Sequence, residues 1–430
     1  MTPPRRSSRL ACLFAAAAAL SAAATGCSQE PAPAPLPESV AIGLLAPATG
    51  PDAAAGADAV RGAQLAAEVV NNPYPDLPIP LAAPIGLPGL GGAALILITG
   101  DTAGTSDQAQ ERANELADRG VVGLVAVESA EVAADLGAQT QRLRLPLVDA
   151  ASTADYLPEL GLEWYFRTTP TDRTLVEAGF ALIRQQMPVA RPGRLVLLQD
   201  AGGSMAAGVG LVREEAERAG YPIVATIDLP RQGADVAEIA RQIDLTAASV
   251  ALAIVADAAG AKTAAEVAAR VRSPMPVLGL GHGFAALAPP PVSDVDGSTP
   301  VVLRAAGWSA DFAARSPTAV AVSALYERRY GMRMSDSAAN AFTATIALAA
   351  AIDAAGSAEP ARIRAALRQL WVPATQTIMP WNGVRFGANG QNQLAAAVVE
   401  ARVAGGYQVV FPRELATVPM VWASRTGAAS

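Results

Sequence analysis

The sequence is poor in the residues that most often carry chemistry. Its 430 residues include one histidine, His282, and two cysteines, Cys12 and Cys27. These counts exclude zinc sites built from cysteine and histidine, and they exclude a disulfide framework. Only 5% of the residues are aromatic, and acidic residues outnumber basic ones by 39 to 32. Because the chain has no excess of basic residues, we do not expect nucleic acid as a partner. We also expect no metal or other cofactor.

The first 27 residues have the pattern of a targeting segment. Arg5, Arg6 and Arg9 precede an apolar stretch over 10–24, which is too short to span a bilayer comfortably. The following Ala-Thr-Gly-Cys at 24–27 resembles a lipoprotein signal-peptidase box. This resemblance predicts removal of 1–26 and lipidation of Cys27, which would anchor the chain to a membrane of the cell envelope outside the cytoplasm. The alternative is an ordinary secretory signal with an incidental cysteine.

Beyond a proline-rich tether at 27–39, strand and helix patterns alternate along the chain. Apolar runs of four to seven residues, such as 40–45 and 194–198, predict strands, and stretches such as 106–120 predict amphipathic helices. Apolar strands that alternate with helices are typical of parallel sheets covered on both faces. The sequence therefore predicts an α/β fold with two doubly wound parallel-sheet lobes. The apolar run over 338–352 is too short for a membrane span and predicts a buried helix.

Three segments, in order along the chain, resemble one known family. They are 41–50 with Gly56 and 61–66, then 145–153 with 166–172, and finally 381–386 with 390–392. The family is the type I periplasmic solute-binding proteins of branched-chain amino-acid ABC transporters. The resemblance implies three crossings between the lobes, with 40–168 plus 303–393 in the first lobe and 169–302 plus 394–425 in the second. It also implies hinge closure of the two lobes around a ligand.

The same resemblance implies ligand contacts at the ends of two strands. Ser129 matches a family serine after the third strand, and Ala151, Ser152 and Thr153 match the family's contacts after the fourth. Hydroxyls and free N–H groups in such turns bind an anion without needing a charged side chain. For Ser129 and Thr153 the alternative is that each caps the N-terminus of the helix that follows it.

Several pocket positions depart from the family pattern. The family's two flanking aromatic residues fall near Ala55 and Ala258, and Ser204-Met205 stands where the family has tyrosine and glycine. The acid that receives a ligand ammonium falls near 281–283. We therefore do not expect leucine to be held in the usual way.

Two explanations of the missing acid remain open. Asp200, Glu128 or Asp257 accepts an ammonium, or the ligand has none. His282, if it is protonated, can pair with an anionic group of the ligand, and a solvent-facing loop histidine is the alternative.

These observations predict a lipid-anchored solute-binding protein that is a monomer, is not an enzyme, and delivers a small polar molecule such as an amino acid to ABC permease subunits. A ligand sensor with the same fold is one alternative. A serine hydrolase that uses Ser204, Asp257 and His282 is another, because 202–206 approximates a nucleophile elbow. Three residues, however, separate that elbow from the preceding strand, whereas the strained turn should follow the strand directly.

Overall fold

The computed structural model describes residues 36–187, 193–200, 206–230, 233–255, 258–272, 275–280, 284, 302–403 and 406–420. The predicted signal peptide, most of the predicted tether and Cys27, the predicted lipidation site, lie outside these ranges. So do the three members of the hydrolase alternative, Ser204, Asp257 and His282. The chain divides into the units Met1–Pro37 and Glu38–Ser430, and everything that follows concerns the second unit.

Strands and helices alternate along the described chain, as the apolar periodicity predicts. The strands are β1 (Ser39–Ala46), β2 (Ala94–Asp101), β3 (Leu124–Ala126), β4 (Leu147–Asp149), β5 (Tyr165–Arg167), β6 (Leu195–Asp200), β7 (Ile223–Leu229), β8 (Val250–Ile254), β9 (Val277–Leu280), β10 (Val302–Ala306), β11 (Trp371–Pro373), β12 (Gly383–Arg385), β13 (Val398–Val403) and β14 (Gly406–Phe411). The helices are α1 (Ala53–Asn71), α2 (Ser106–Asp118), α3 (Ala130–Leu143), α4 (Asp172–Gln186), α5 (Ala206–Ala219), α6 (Val236–Thr246), α7 (Ala258–Arg270), α8 (Ala310–Ala313), α9 (Pro317–Tyr330), α10 (Asp336–Ala355) and α11 (Pro360–Leu367).

Two separate sheets define two lobes. The first has the strand order β2-β1-β3-β4-β5, and each of its pairs is parallel. The second has the order β14-β13-β10-β9-β8-β6-β7, with parallel pairs from β10 to β7 and antiparallel pairs at β10–β13 and β13–β14. Hydrophobic clusters cover both faces of each sheet. The α/β prediction with two parallel-sheet lobes is therefore confirmed.

Helices α1 and α10 pack together on one face of the first sheet. This contact explains why the family-like segment 61–66 contains Gly62. Gly62 lies on α1 where a Cβ atom would come 2.0 Å from the carbonyl oxygen of Ala338 on α10. No side chain fits in that space, so the close approach of the two helices requires glycine. Helix α10 is long and apolar enough to cross a membrane, but 78% of its apolar window is buried inside the protein. It is the buried helix that the sequence predicts.

The connections between the lobes lie side by side. The N–H of Arg167, at the end of β5, donates to the carbonyl of Gly390 over 2.9 Å, and the N–H of Asn392 donates back to the carbonyl of Arg167 over 2.9 Å. The carbonyl of Gly307, directly after β10, accepts the indole N–H of Trp381 over 2.7 Å. The third family-like segment, 381–392, is therefore hydrogen-bonded to the first crossing at Arg167 and to the second crossing at Gly307.

One expected lobe boundary needs correction. The sequence places the second crossing at residue 303, but β10 belongs to the second sheet. Leu303 is in register with Leu278 of β9 on one side and with Ala401 of β13 on the other. The chain therefore leaves the second sheet only after Ala306, at Gly307.

Candidate functional site

A cavity of about 280 Å³ lies where the crossings meet, with walls from both lobes. The turn after β4 and the segments around α8 and α10 contribute from the first lobe, while α4 and β10 contribute from the second. The volume of the cavity lies just below the usual range for ligand pockets, about 300–1,000 Å³. Its lining residues are Ala151, Thr153, Thr169, Pro170, Leu175, Arg304, Ala305, Ala306, Gly307, Trp308, Ala310, Ser335, Asp336 and Asn340.

The predicted turn after β4 is built around a buried carboxylate. Asp149 Oδ1 accepts the N–H groups of Ala151 at 2.9 Å and Ser152 at 3.1 Å. Asp149 Oδ2 accepts the Tyr165 hydroxyl at 2.6 Å and also the Ser152 hydroxyl. The backbone donors that the sequence assigns to a ligand anion are therefore already used within the protein. Of these two residues, Ala151 lines the cavity, whereas Ser152 is buried beneath the turn.

Thr153 lines the cavity, but its hydroxyl does not cap a following helix. Thr153 Oγ1 donates to Asp172 Oδ1 over 2.6 Å, and the Thr153 carbonyl accepts the N–H of Asp172 over 2.7 Å. Asp172 begins α4, whose N-cap is Thr171. Thr153 therefore links the first lobe to the first helix of the second lobe, and the capping alternative for this residue is wrong.

Ser129 does cap a helix. It is the N-cap residue of α3, and its side-chain oxygen accepts the N–H of Val132 over 3.4 Å. Ser129 is exposed at the carboxyl end of β3 and is not among the residues that line the cavity. The side chain of Ser129 therefore caps α3, as the alternative interpretation expects, and the exposed residue can still contact another group.

Two of the three candidate acids lie in the described chain, and neither lines the cavity. Glu128 is buried after β3, and its Oε1 accepts the Thr102 hydroxyl over 2.6 Å. Burial raises the pKa of Glu128 to about 7, and nearby carboxylates contribute to the rise. Asp200 is buried at the end of β6. Asp257, His282 and the side chain of Ala258 lie outside the described parts of the structure.

The polar residues of the cavity lining that the sequence analysis did not identify as contacts include Arg304, Trp308, Asp336 and Asn340. Arg304 lies on β10, where its Nε donates to Glu400 Oε2 over 2.8 Å. Its guanidinium carbon lies 3.6 Å from the centre of the Tyr407 ring. Asp336 is the first residue of α10 and also has an interaction partner. These residues lie more than 130 positions after the turn at 151–153, so no local pattern indicates that they meet it.

Trp308 and Asn340 have polar atoms without partners. Each side chain is 6% exposed. Trp308 Nε1 and Asn340 Oδ1 are buried and find no hydrogen-bond partner among the described residues. Buried polar atoms are usually paired, so these two atoms are exceptions within residues that line the cavity. No group of histidine, cysteine, aspartate and glutamate in the described ranges has the arrangement of a metal site.

Comparison with known proteins agrees with this architecture. A family model described as periplasmic binding protein matches residues 39–406. The Leu/Ile/Val-binding protein homolog 8 of Brucella abortus (strain 2308) is 23% identical over 400 residues, which are 89% of this chain and 92% of the relative. These matches span both lobes and all three crossings.

Solved structures share the fold at low sequence identity. An ABC transporter substrate-binding protein from Desulfitobacterium hafniense, in complex with Leu, has a TM-score of 0.67 at 18% identity, with coverage of 86% of this chain and 99% of its own. A solute-binding protein of an ABC transporter from Rhodopseudomonas palustris BisB5, in complex with 3,4-dihydroxybenzoic acid, has a TM-score of 0.63 at 16% identity, with coverage of 86% and 95%. With two parallel-sheet lobes, three crossings and a family match over most of its length, the chain belongs to the type I periplasmic binding proteins of the branched-chain amino-acid family.

Proposed function

We propose that this protein captures a small polar molecule, an amino acid or a related compound, in the cavity between its lobes and delivers it to an ABC permease. The observation that carries the proposal is the cavity itself, because residues of both lobes and of the crossings line it. A ligand in that position contacts both lobes at once, so it stabilises the arrangement of the lobes in which it makes the most contacts. The relatives are solute-binding proteins, which supports binding rather than catalysis as the activity.

The ligand contacts expected from the sequence divide into two groups. Ala151 and Thr153 line the cavity and are proposed to contact the ligand directly. Ser129 and Asp200 lie at the carboxyl ends of β3 and β6, where doubly wound sheets bind ligands, and they are proposed to contact it as the lobes close. Ser152 supports the turn through Asp149 and is not proposed as a contact.

A thermal-shift screen over amino acids, small amides, carboxylates and sugars tests ligand binding. A ligand present at a hundredfold its dissociation constant adds about 2.7 kcal/mol to the free energy of unfolding. Ala306→Phe places a ring in the cavity and should abolish the shift, whereas Ala361→Phe changes an exposed alanine of α11 and should preserve it. If no compound shifts the wild-type protein, or if Ala306→Phe binds normally, the proposal fails.

Membership of this family supports an extracytoplasmic location, and we further propose that lipidated Cys27 holds the protein on the membrane. Cell fractionation with Cys27→Ser tests this step. The wild-type protein should sediment with membranes and the variant should be released, since several acyl chains bind a membrane almost permanently. Equal distribution of the two proteins would contradict the anchor.

Delivery to a permease is a separate step with its own test. Uptake of the identified compound should fall in cells that lack the protein and should return when the protein is restored. Binding without any effect on uptake would contradict delivery and would favour a ligand sensor.

A further inference from the structure

The connection between α1 and β2 contains a long segment without charge. The uncharged loop, residues 77–92, has no charged side chain, and neither has β2 before Asp101, although 17% of the whole chain is charged. The apolar residues of the uncharged loop that are buried in the core of the first lobe are Leu77, Ile79, Ala82, Leu87 and Leu90. Its backbone is also fixed, since the N–H of Gly86 donates to the carbonyl of Val70 over 2.8 Å and the N–H of Gly89 donates to Asp353 Oδ1 over 2.7 Å. The uncharged loop is therefore an ordered part of the first lobe.

The outer surface of the uncharged loop is apolar. Every residue that it exposes is a proline, an alanine, an isoleucine or a glycine. Ile85 is the largest of these side chains and is 64% exposed. An exposed apolar surface without polar or charged side chains is typical of contact with a protein or a membrane.

The uncharged loop lies where the chain enters the first sheet. The N–H of Ala94 donates to the carbonyl of Glu38, directly before β1, over 3.0 Å. The preceding residue, Ala93, accepts the N–H of Leu87 of the uncharged loop over 2.9 Å. Both contacts are at the amino ends of β1 and β2, whereas the cavity adjoins the turn after the carboxyl end of β4. A surface that covers the uncharged loop therefore does not cover the cavity.

The length of the preceding chain and the charge of the protein both favour a bilayer as the partner of this loop. Glu38 is eleven positions after Cys27, and a chain of that length spans at most about 40 Å. A protein anchored at Cys27 stays at a high effective concentration beside the bilayer, so a surface contact that is weak on its own becomes populated. With 39 acidic and 32 basic residues the protein as a whole is repelled by anionic lipids, but the uncharged loop is not.

We propose that the uncharged loop rests on the bilayer, with Ile85 at the boundary between headgroups and acyl chains, and that this contact holds the first lobe in one orientation. Transfer of an apolar side chain from water to this boundary is favourable, and the prolines and glycines around Ile85 bring no charge that must be desolvated. This inference rests on the proposed lipidation of Cys27, because the contact is too weak to hold the protein without the anchor.

Single fluorophores on the lipidated full-length protein measure this contact. In the processed chain Cys12 is removed with the signal peptide and the thiol of Cys27 carries lipid, so an introduced cysteine is the only free thiol. Ile85→Cys places a fluorophore on the uncharged loop, and Leu245→Cys is the matched control, because Leu245 is 82% exposed on α6 of the second lobe. The proteins are reconstituted in vesicles of phosphatidylethanolamine and phosphatidylglycerol, with and without lipids that carry a nitroxide quencher near the headgroup. The quencher should lower the emission from Ile85→Cys about twofold or more and should leave that from Leu245→Cys nearly unchanged.

A charge introduced into the surface links the contact to Ile85. With the fluorophore on Ala83→Cys, an exposed position of the same loop, Ile85→Asp should reduce the quenching to the level of Leu245→Cys, because a carboxylate resists transfer into the bilayer. Leu245→Asp adds the same charge to the second lobe and should leave the quenching at Ala83→Cys unchanged. Circular dichroism establishes that each variant is folded, and both charged substitutions are at exposed positions.

The possible outcomes separate this inference from the lipid anchor. If the protein stays on the vesicles but Ile85→Cys is quenched no more than Leu245→Cys, the inference is overturned and the anchor stands. Quenching at Ala83→Cys that Ile85→Asp does not reduce would also overturn it. A second copy of the chain on this surface would shield the fluorophore from the nitroxide lipids, which is again a contradicting result. If the wild-type protein does not stay on the vesicles at all, both the anchor and this inference fail.

Discussion

The turn after β4 and the wall formed by Trp308 and Asn340 border the same cavity, but they differ in how their polar groups are used. In the turn, Asp149 accepts four hydrogen bonds, which occupy the N–H groups of Ala151 and Ser152. In the wall, a donor and an acceptor lack partners within the described chain. The first region holds its own shape through these bonds, whereas the second keeps two buried polar atoms without a partner among the described residues. A polar residue near a ligand cavity therefore indicates a contact only after its existing partners are known.

The largest effect is expected where the turn loses its carboxylate. Asp149→Ala removes the acceptor of four buried donors, and we expect the free energy of unfolding to fall by about 3–5 kcal/mol. Asp149→Asn retains one carbonyl acceptor and should lose less. Chemical denaturation measures both changes. A loss below about 1 kcal/mol for Asp149→Ala would show that the turn does not depend on its internal bonds.

A pH dependence of stability is expected from Glu128. The pKa of Glu128 is about 7 in the folded protein, compared with 4.5 as its ordinary value, chiefly because of burial. Between these values the carboxyl group is ionised in the unfolded state and protonated in the folded state. The contribution of Glu128 to stability is therefore fully present below pH 4.5 and is lost as the pH rises through 7. The shift corresponds to about 3 kcal/mol.

Glu128→Gln should remove that loss, since glutamine keeps an uncharged acceptor for Thr102. Denaturation of both proteins should give nearly equal stability at pH 4.5, with the variant more stable by about 3 kcal/mol at pH 8. A difference that does not change with pH would contradict the raised pKa.

The effects of substituting Trp308 and Trp381 on stability can be compared without a ligand. Trp381→Phe breaks the bond to the Gly307 carbonyl, whereas Trp308→Phe removes an N–H that has no partner in the described chain. Both lose similar ring area, so Trp381→Phe should destabilise the protein by about 1 kcal/mol more than Trp308→Phe. Paired urea titrations measure the difference. An equal or reversed order would mean that Trp308 Nε1 is already satisfied.

The smallest effect is expected at Ser129. Its capping bond to Val132 is long, at 3.4 Å, so Ser129→Ala should lower the free energy of unfolding by only about 0.5 kcal/mol. If the hydroxyl also contacts the ligand as the lobes close, affinity should fall several-fold for the same substitution. Unfolding and titration of the same variant separate the two roles. Unchanged affinity would leave Ser129 a helix cap only.

The fold was predictable from the sequence because its signals are local. Runs such as β8 are apolar throughout and are buried on both faces, and α10 is a continuous apolar helix in the core. The boundary at 303 was wrong because it was carried over from the family resemblance, and only the pairing of β10 with β9 and β13 shows which sheet this strand joins.

The site was predictable only in part. The structure places Ala151 and Thr153 of the predicted turn beside the cavity. The sequence did not reveal that Asp149 accepts hydrogen bonds from the backbone of that turn. Trp308 and Asn340 were missed because their meeting with this turn depends on the second crossing and on the packing of α10. Such contacts between distant segments leave no periodicity in the chain.

The account depends on a ligand binding between the lobes, and calorimetric titration of the full-length protein tests that most directly. At least one amino acid or related polar compound should show saturable one-to-one binding, which Ala306→Phe abolishes and Ala361→Phe preserves. If no amino acid, amide, carboxylate or sugar gives saturable binding, or if Ala306→Phe binds as tightly as the wild type, the cavity is not the ligand site.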